Sequence, residues 1–350
     1  MTARPIRIGL VGAGGNMRAR HIPGLRALKA VEIHGVVNST PHSTNRAADE
    51  FGIPQTYPDW EALIDDSGID AVVIGTWPNL HCEITCAALE AGKHVLTEAR
   101  MARNAAEAHR MLEAAHQHPD LVKQIVPSPY GLVQQPYLRG LLDKGFLGEF
   151  RELVVLDVDD TVWDTTRPLH WRQNVEISGL NILALGILHE TAMRWAPAVE
   201  RVFAQMTTFN RTFRTADDSE TAEATVPDSV QAVAQLEGGG RGLYHLGGVN
   251  LFGPGRQIHL YGSKGTIRYE ITPRERLLIG QAGDAELRDV DIPPEQRGCW
   301  RVEEEFIGAI RGDRTVHLTD FATGVKYMEF TEAVTRSAAT NQPVNLPLES

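Results

Sequence analysis

The sequence predicts a doubly wound α/β Rossmann domain with a parallel sheet, followed by an α+β domain whose open sheet is mostly antiparallel. Three observations carry this prediction. The apolar run Ile6-Arg7-Ile8-Gly9-Leu10-Val11 ends in Gly12-Ala13-Gly14-Gly15-Asn16-Met17, a strand, a tight turn and a helix start in succession. Apolar strands then alternate with helical stretches at parallel-crossover spacing as far as about residue 127. Beyond that point a helix gives way to a run of strand-like segments, the order expected of an α+β domain. A chain of 350 residues exceeds the usual single-domain size. The expected division is 1–127 and 128–350.

Composition narrows the function classes. Hydrophobic content of 42% and charged content of 23% suit a globular protein with substantial cores. Lys and Arg number 34 against 45 Asp and Glu, a net charge of −11 that argues against nucleic acid and anionic membrane as partners. No apolar run is long enough for a membrane span, and Met1–Pro5 leads straight into a strand without room for a signal peptide. A cytoplasmic location is the expectation. Cys82, Cys86 and Cys299 are too few and too scattered for a disulfide framework. Cys82 and Cys86 share a helix face with His81, yet two further ligands at metal spacing are missing, so buried apolar thiols are expected and no metal site.

In the first half, helices are expected over 18–28, 43–51, 60–65, 81–90 and 104–116. Strands are expected over 31–37, 69–76, 94–98 and 122–126. Ligands of such a sheet sit at the C-terminal ends of its strands. In the opening turn, Gly12 permits the bend and Gly14 a close backbone approach. Gly12, Gly14, Gly15, Asn16 and Met17 thereby become the expected cradle for a dinucleotide pyrophosphate. Met17 occupies the third glycine position of the fingerprint. The second strand ends in Asn38-Ser39-Thr40, where an acid would bind the ribose of NAD. A neutral end with Arg46 nearby tips the cofactor, NAD(P), toward NADP, although Ser39 and Thr40 also read as a plain helix cap. Thr76, Trp77 and His81 follow the third long strand, and Glu98 follows the next.

The second half is read as helices over 136–144, 177–195, 300–311 and 321–339. Strands are expected over 151–159, 201–207, 228–237, 242–247, 257–262 and 265–269. The polar stretch from Arg211 to Pro227, with Asp217-Asp218-Ser219-Glu220, reads as a solvated loop.

Thr76-Trp77-Pro78-Asn79…His81 and Ala91-Gly92-Lys93-His94-Val95-Leu96-Thr97-Glu98 resemble the Gfo/Idh/MocA family, which includes glucose–fructose oxidoreductase and inositol dehydrogenase. The likeness continues through Gly145–Glu149, His170-Trp171-Arg172, Tyr261–Thr266 and Glu305–Ile310. It implies a small-molecule substrate and a homo-oligomer built on the sheet of the second domain. It also implies a Glu-Lys-Pro triplet with a catalytic lysine; here the triplet is Glu98-Ala99-Arg100. The family's Asp-x-Gly-x-His before Arg-Trp falls, anchored on Arg194-Trp195, at Ala184, Gly186 and Leu188. Ala99, Ala184 and Leu188 can move no proton. This is an atypical member lacking the usual Lys, Asp and His.

The remaining acid–base candidates are His189, His170 and Tyr130, with Arg100 supplying positive charge. His189 follows the family's histidine position, and an ordinary hydrogen-bonded helix histidine is the competing reading. Trp171 and Arg172 are candidates for stacking on the nicotinamide or holding substrate, or for core and ion-pair roles. Three functions follow. First is an NAD(P)-dependent oxidoreductase acting on a polyol, sugar or cyclic hydroxy compound. Second is a lyase or hydrolase that oxidises its substrate transiently. Third is a nucleotide-binding sensor without catalysis.

Overall fold

A computed structural model describes residues 4–215 and 220–349. The chain packs as two units, one made of residues up to Pro127 with Arg301–Val325, the other of Ser128–Trp300 with residues from Lys326 onward. A single division at 127 is therefore revised, because Arg301–Val325 returns to the first unit. Its ties there are specific. The Arg311 guanidinium donates to the Lys29 carbonyl at 2.5 Å, and Ile125 and Thr319 exchange backbone hydrogen bonds.

The first unit is built on strands β1 (Ile6–Val11), β2 (Val31–Val37), β3 (Gln55–Thr56), β4 (Ala71–Ile74), β5 (His94–Thr97) and β6 (Lys123–Ile125). All pairs are parallel, in the order β3-β2-β1-β4-β5-β6. Every residue of β4 is buried, as a central strand covered on both faces requires. The edge strand β3 carries no apolar signal and was not anticipated. The helix expected over 18–28 is a π-helical turn, Met17–His21, followed by a short α-helix, Ile22–Arg26. The helix Pro41–Phe51 starts earlier than its pattern suggests, because Thr40 and Ser43 form a reciprocal cap in front of it.

The second unit holds β7 (Phe150–Val158), β8 (Val199–Thr207), β9 (Thr212–Arg214), β10 (Thr221–Glu223), β11 (Ser229–Leu236) and β12 (Arg241–Gly247). Further along lie β13 (Gly255–Gly262), β14 (Gly265–Glu270), β15 (Arg276–Gln281), β16 (Arg288–Asp289) and β17 (Val344–Asn345). Nine of these strands form one sheet, β16-β15-β14-β13-β7-β12-β11-β8-β17. Its pairs are antiparallel except β7 with β12. Alternating burial along β11 places one face on a core that includes Leu153, Val155, Leu188, Tyr244, Ile258 and Phe330. On the other face Val233 (54% exposed) stands directly opposite Leu243 (43% exposed).

Two expectations for this unit are corrected. The long helix over 177–195 is broken into Val175–Ser178 and Leu185–Met193. Gly179 and Leu183 adopt positive φ, and the Asn181 amide donates to the Ser178 carbonyl at 2.6 Å instead of leaving it for a continuing helix. The stretch Arg211–Pro227 is not only loop, since β9 and β10 pair there. Asp217, Asp218 and Ser219 lie outside the described residues.

Candidate functional site

The opening turn of the first unit depends on two glycines packed backbone to backbone. Gly12 has φ +86°, and a Cβ there would lie 2.9 Å from the Gly75 carbonyl. A Cβ on Gly75 would in turn lie 2.5 Å from the Gly12 oxygen and 2.7 Å from Met17 Cε. Met17 thus fits the third fingerprint position because Gly75, at the end of β4, has no side chain to oppose it. Gly14 and Gly15 are exposed, and nothing lies within 4 Å of a Cβ on Gly15. The space before this helix start stays open, as a phosphate-bearing ligand requires. These residues fit a dinucleotide.

At the end of β2, Asn38 has a structural role. Its Oδ1 accepts from the Ala13 N–H at 2.6 Å, and its amide donates to the Ser43 carbonyl at 2.9 Å. The carboxamide locks the glycine turn to β2. Ser39 and Thr40 are exposed, Thr40 serving as helix cap, and Arg46 is exposed on the helix behind them.

Thr76 and the half-exposed Trp77 follow β4. His81 does not face a ligand. It is fully buried, its ring nitrogens 2.9 Å from the Arg100 carbonyl and 3.1 Å from the Thr76 carbonyl, and burial holds its pKa below the ordinary value. Its role is to brace the ends of β4 and β5. The Arg100 side chain is 7% exposed, a poor placement for polarising a substrate oxygen. Glu98 is better placed. Its carboxylate accepts from Asn16 Nδ2 at 2.5 Å and lies 3.0 Å from His21 Nε2. Although burial opposes ionisation, the hydrogen bond and charge of His21 and the Asn16 amide hold the Glu98 pKa below the usual range.

The second unit contains its own polar cluster. Arg256 Nε donates to the buried Asp157 carboxylate at 2.8 Å, and its Nη1 donates to the Tyr130 hydroxyl at 2.5 Å. The guanidinium carbon also lies 5.0 Å from the Tyr130 ring centroid. Arg172 stacks on Trp171 at 4.2 Å, and His170 caps the short turn that carries both, accepting from the Arg172 N–H at 3.2 Å. His170 is therefore held as a cap, although its ring is exposed.

The His189 expectation is corrected. Its ring stacks on Phe330 at 3.7 Å and bonds the Tyr244 hydroxyl at 2.9 Å, and the residue is 5% exposed. Burial pushes its pKa down to about 3. A neutral ring sealed in an aromatic cluster is a core histidine. Its neighbour Glu190 pairs with Arg194 at 2.7 Å and accepts from the Ser128 N–H at 2.8 Å. Sequence reasoning also missed Gly75, His21, Glu303 and Arg256. A histidine a few residues after the turn was a readable signal for His21; nothing local marks Glu303 or Arg256.

Residues 6–124 match the model of an oxidoreductase family with an NAD-binding Rossmann fold, and residues 137–268 match the Gfo/Idh/MocA C-terminal domain. Levoglucosan dehydrogenase of Pseudarthrobacter phenanthrenivorans is 28% identical over 186 residues, covering 51% of this chain and 47% of that protein. The chain thus spans about half the length of that relative. Myo-inositol 2-dehydrogenase of Thermotoga maritima is 23% identical over 264 residues, covering 75% of this chain and 74% of that protein. A solved levoglucosan dehydrogenase complex with NADH and L-sorbose superposes with a TM-score of 0.86 at 23% identity, covering 99% of this chain and all of that one. At that identity the likeness is one of fold.

Proposed function

The chain belongs to the Gfo/Idh/MocA oxidoreductase family, and from that premise we propose an NAD(P)-dependent dehydrogenase or reductase of sugars, polyols or cyclic hydroxy compounds. The observation that carries this reading is the open Gly14–Gly15 face behind the interlocked Gly12–Gly75 turn. Gly12, Gly14, Gly15 and Asn16 would hold the pyrophosphate, and Thr76, Trp77 and Glu98 would flank the rest of the cofactor. A bound nicotinamide supplies or accepts the hydride. Relatives named for levoglucosan and myo-inositol support a polyhydroxylated substrate class.

Ala99, Ala184 and Leu188 occupy the positions where the family resemblance implies Lys, Asp and His, so the substrate hydroxyl proton needs another carrier. We assign it to Tyr130. The Arg256 guanidinium donates to its oxygen, which leaves the phenol proton directed away from Arg256. Asp157 fixes Arg256 in that pose.

Three finer points belong to the same reading. The neutral end of β2 and the exposed Arg46 favour NADP, whose extra phosphate a guanidinium binds well. The exposed Val233–Leu243 pair supports a homo-oligomer formed through the second unit's sheet. Three free thiols support the cytoplasm, and among the described residues no helix is long and apolar enough to cross a membrane.

The test is direct. Fluorescence titration should detect NADPH or NADH binding, and a panel of sugars and polyols should give net nicotinamide turnover. Tyr130→Phe should cut kcat by about 100-fold or more while leaving the nucleotide Kd within about twofold. Undiminished turnover removes Tyr130 from this role. A wild-type protein that binds no nicotinamide dinucleotide overturns the reading altogether.

A further inference from the structure

His21 lies wholly buried between two carboxylates contributed by distant stretches of the chain. Its Nε2 is 3.0 Å from Glu98 Oε1, just past β5, and its Nδ1 is 2.6 Å from Glu303 Oε1, on the returning helix Val302–Ile310. The side chains of His21 and Glu303 are 0% and 5% exposed. A neutral imidazole carries one N–H and one lone pair. Two carboxylate oxygens this close to a buried ring favour its charged form, an imidazolium paired on both sides. The pocket leaves room for this arrangement: a Cβ on Gly24 would lie 2.8 Å from the Glu303 carboxyl carbon and would crowd that carboxylate where it now sits beside the ring.

The chain of contacts leads to the ligand side of the unit. Glu98 Oε1 accepts from Asn16 Nδ2, and Asn16 is the residue directly after the Gly14–Gly15 face. Asn16 Nδ2 is also 3.4 Å from His21 Nε2. One buried cation therefore fixes a residue of the phosphate turn and the carboxylate at the end of β5 at the same point.

We propose that His21 is a positioning residue, a buried cationic clasp with Glu303 as its counter-charge, which holds Glu98 and Asn16 in place for dinucleotide binding. This rests on the dinucleotide reading given above. The charged and titratable groups that act on the clasp are Glu98 and Glu303 on either side of the ring, with His81 beyond Glu98. Burial alone would lower the His21 pKa, but the hydrogen bonds of Glu303 and Glu98 and their charges outweigh it and raise the value to about 9. The clasp is closed at neutral pH and opens in alkali, where the ring loses the charge that faces the two carboxylates.

Glu303 provides the cleanest test, because it is remote in sequence from the turn and has no assigned contact with cofactor. In wild-type protein, NMR of the imidazole ring should place the His21 titration near pH 9. Glu303→Gln should lower it by more than one pH unit. NADH affinity should be steady from pH 6 to 8 in wild type and fall about tenfold by pH 10. In E303Q the same fall should begin at least one pH unit lower. His21→Gln, which keeps N–H donors but can carry no charge, should bind NADH about tenfold more weakly at pH 7 and lose the alkaline limb. Circular dichroism checks that both variants fold.

Wild-type protein that binds NADH, with E303Q matching its affinity and pH profile, overturns the clasp and leaves the functional reading intact. A His21 ring titrating near 6.5 in wild type does the same. Wild-type protein that binds no dinucleotide overturns both.

Discussion

His21 in the first unit and His189 in the second are both hidden from water, yet at neutral pH one ring is charged and the other neutral. His21 has a carboxylate on each ring nitrogen. His189 has the face of Phe330 and the hydroxyl of Tyr244. Desolvation acts against the charged form in both. In the first it is outweighed, and in the second nothing opposes it. Burial therefore does not decide whether a histidine is a charged functional element or a piece of core; its hydrogen-bond partners do. The same comparison explains why His189 is set aside as an acid–base group, since a ring that stays neutral down to about pH 3 inside an aromatic cluster has no proton traffic with a substrate.

The largest expected effect comes from deleting the cation. His21→Leu leaves Glu98 and Glu303 facing each other across an apolar side chain, and urea unfolding should show a loss of about 3–5 kcal/mol. A loss below 1 kcal/mol would mean the ring is not the bridging charge.

The two histidines should next separate in their response to pH. For His21 the native pKa is raised from 6.5 to about 9. Its stabilising contribution is therefore complete below pH 6.5, declines as pH rises, and is gone above 9. The total is about 3 kcal/mol. For His189 the native pKa is depressed to about 3. It costs nothing above pH 6.5, and acidification then favours the unfolded chain, by about 3 kcal/mol at pH 4. Stability measured against pH in wild type, H21L and His189→Phe should assign the alkaline limb to the first residue and the acid limb to the second. Both limbs surviving in both variants would break the comparison.

Tyr244→Phe carries the smallest effect. It removes one neutral hydrogen bond from His189, and thermal unfolding should report about 1 kcal/mol. NADH affinity should not change.

Much of the first unit was legible because parallel strands and their glycine turn are local patterns. Gly12, Asn16 and Glu98 could be picked out at strand ends without knowing what packs beside them. Asn38 also stands at a strand end, but its carboxamide is engaged by Ala13 and Ser43, partners that no local pattern marks. The second unit was harder to read. The family pattern drew attention to His189, whereas its orientation depends on a helix break at Gly179–Leu183 and on Phe330 from far along the chain. Arg256 gains its meaning only from the pairing of β13 with β7, which sets it opposite Asp157. No sequence period encodes a cross-strand partner from so far away.

The return of Arg301–Val325 to the first unit fixes an order of events during synthesis. His21 and Glu98 leave the ribosome early, but Glu303 follows only after every strand from β7 to β16 has been made. Until then only one of the two carboxylates that face His21 has been made. A chain that stops at Trp300 would keep all six strands of that unit's sheet and lack the second half of the clasp. The first unit is thus completed from its far end, and its finished state reports that most of the other unit has already been translated.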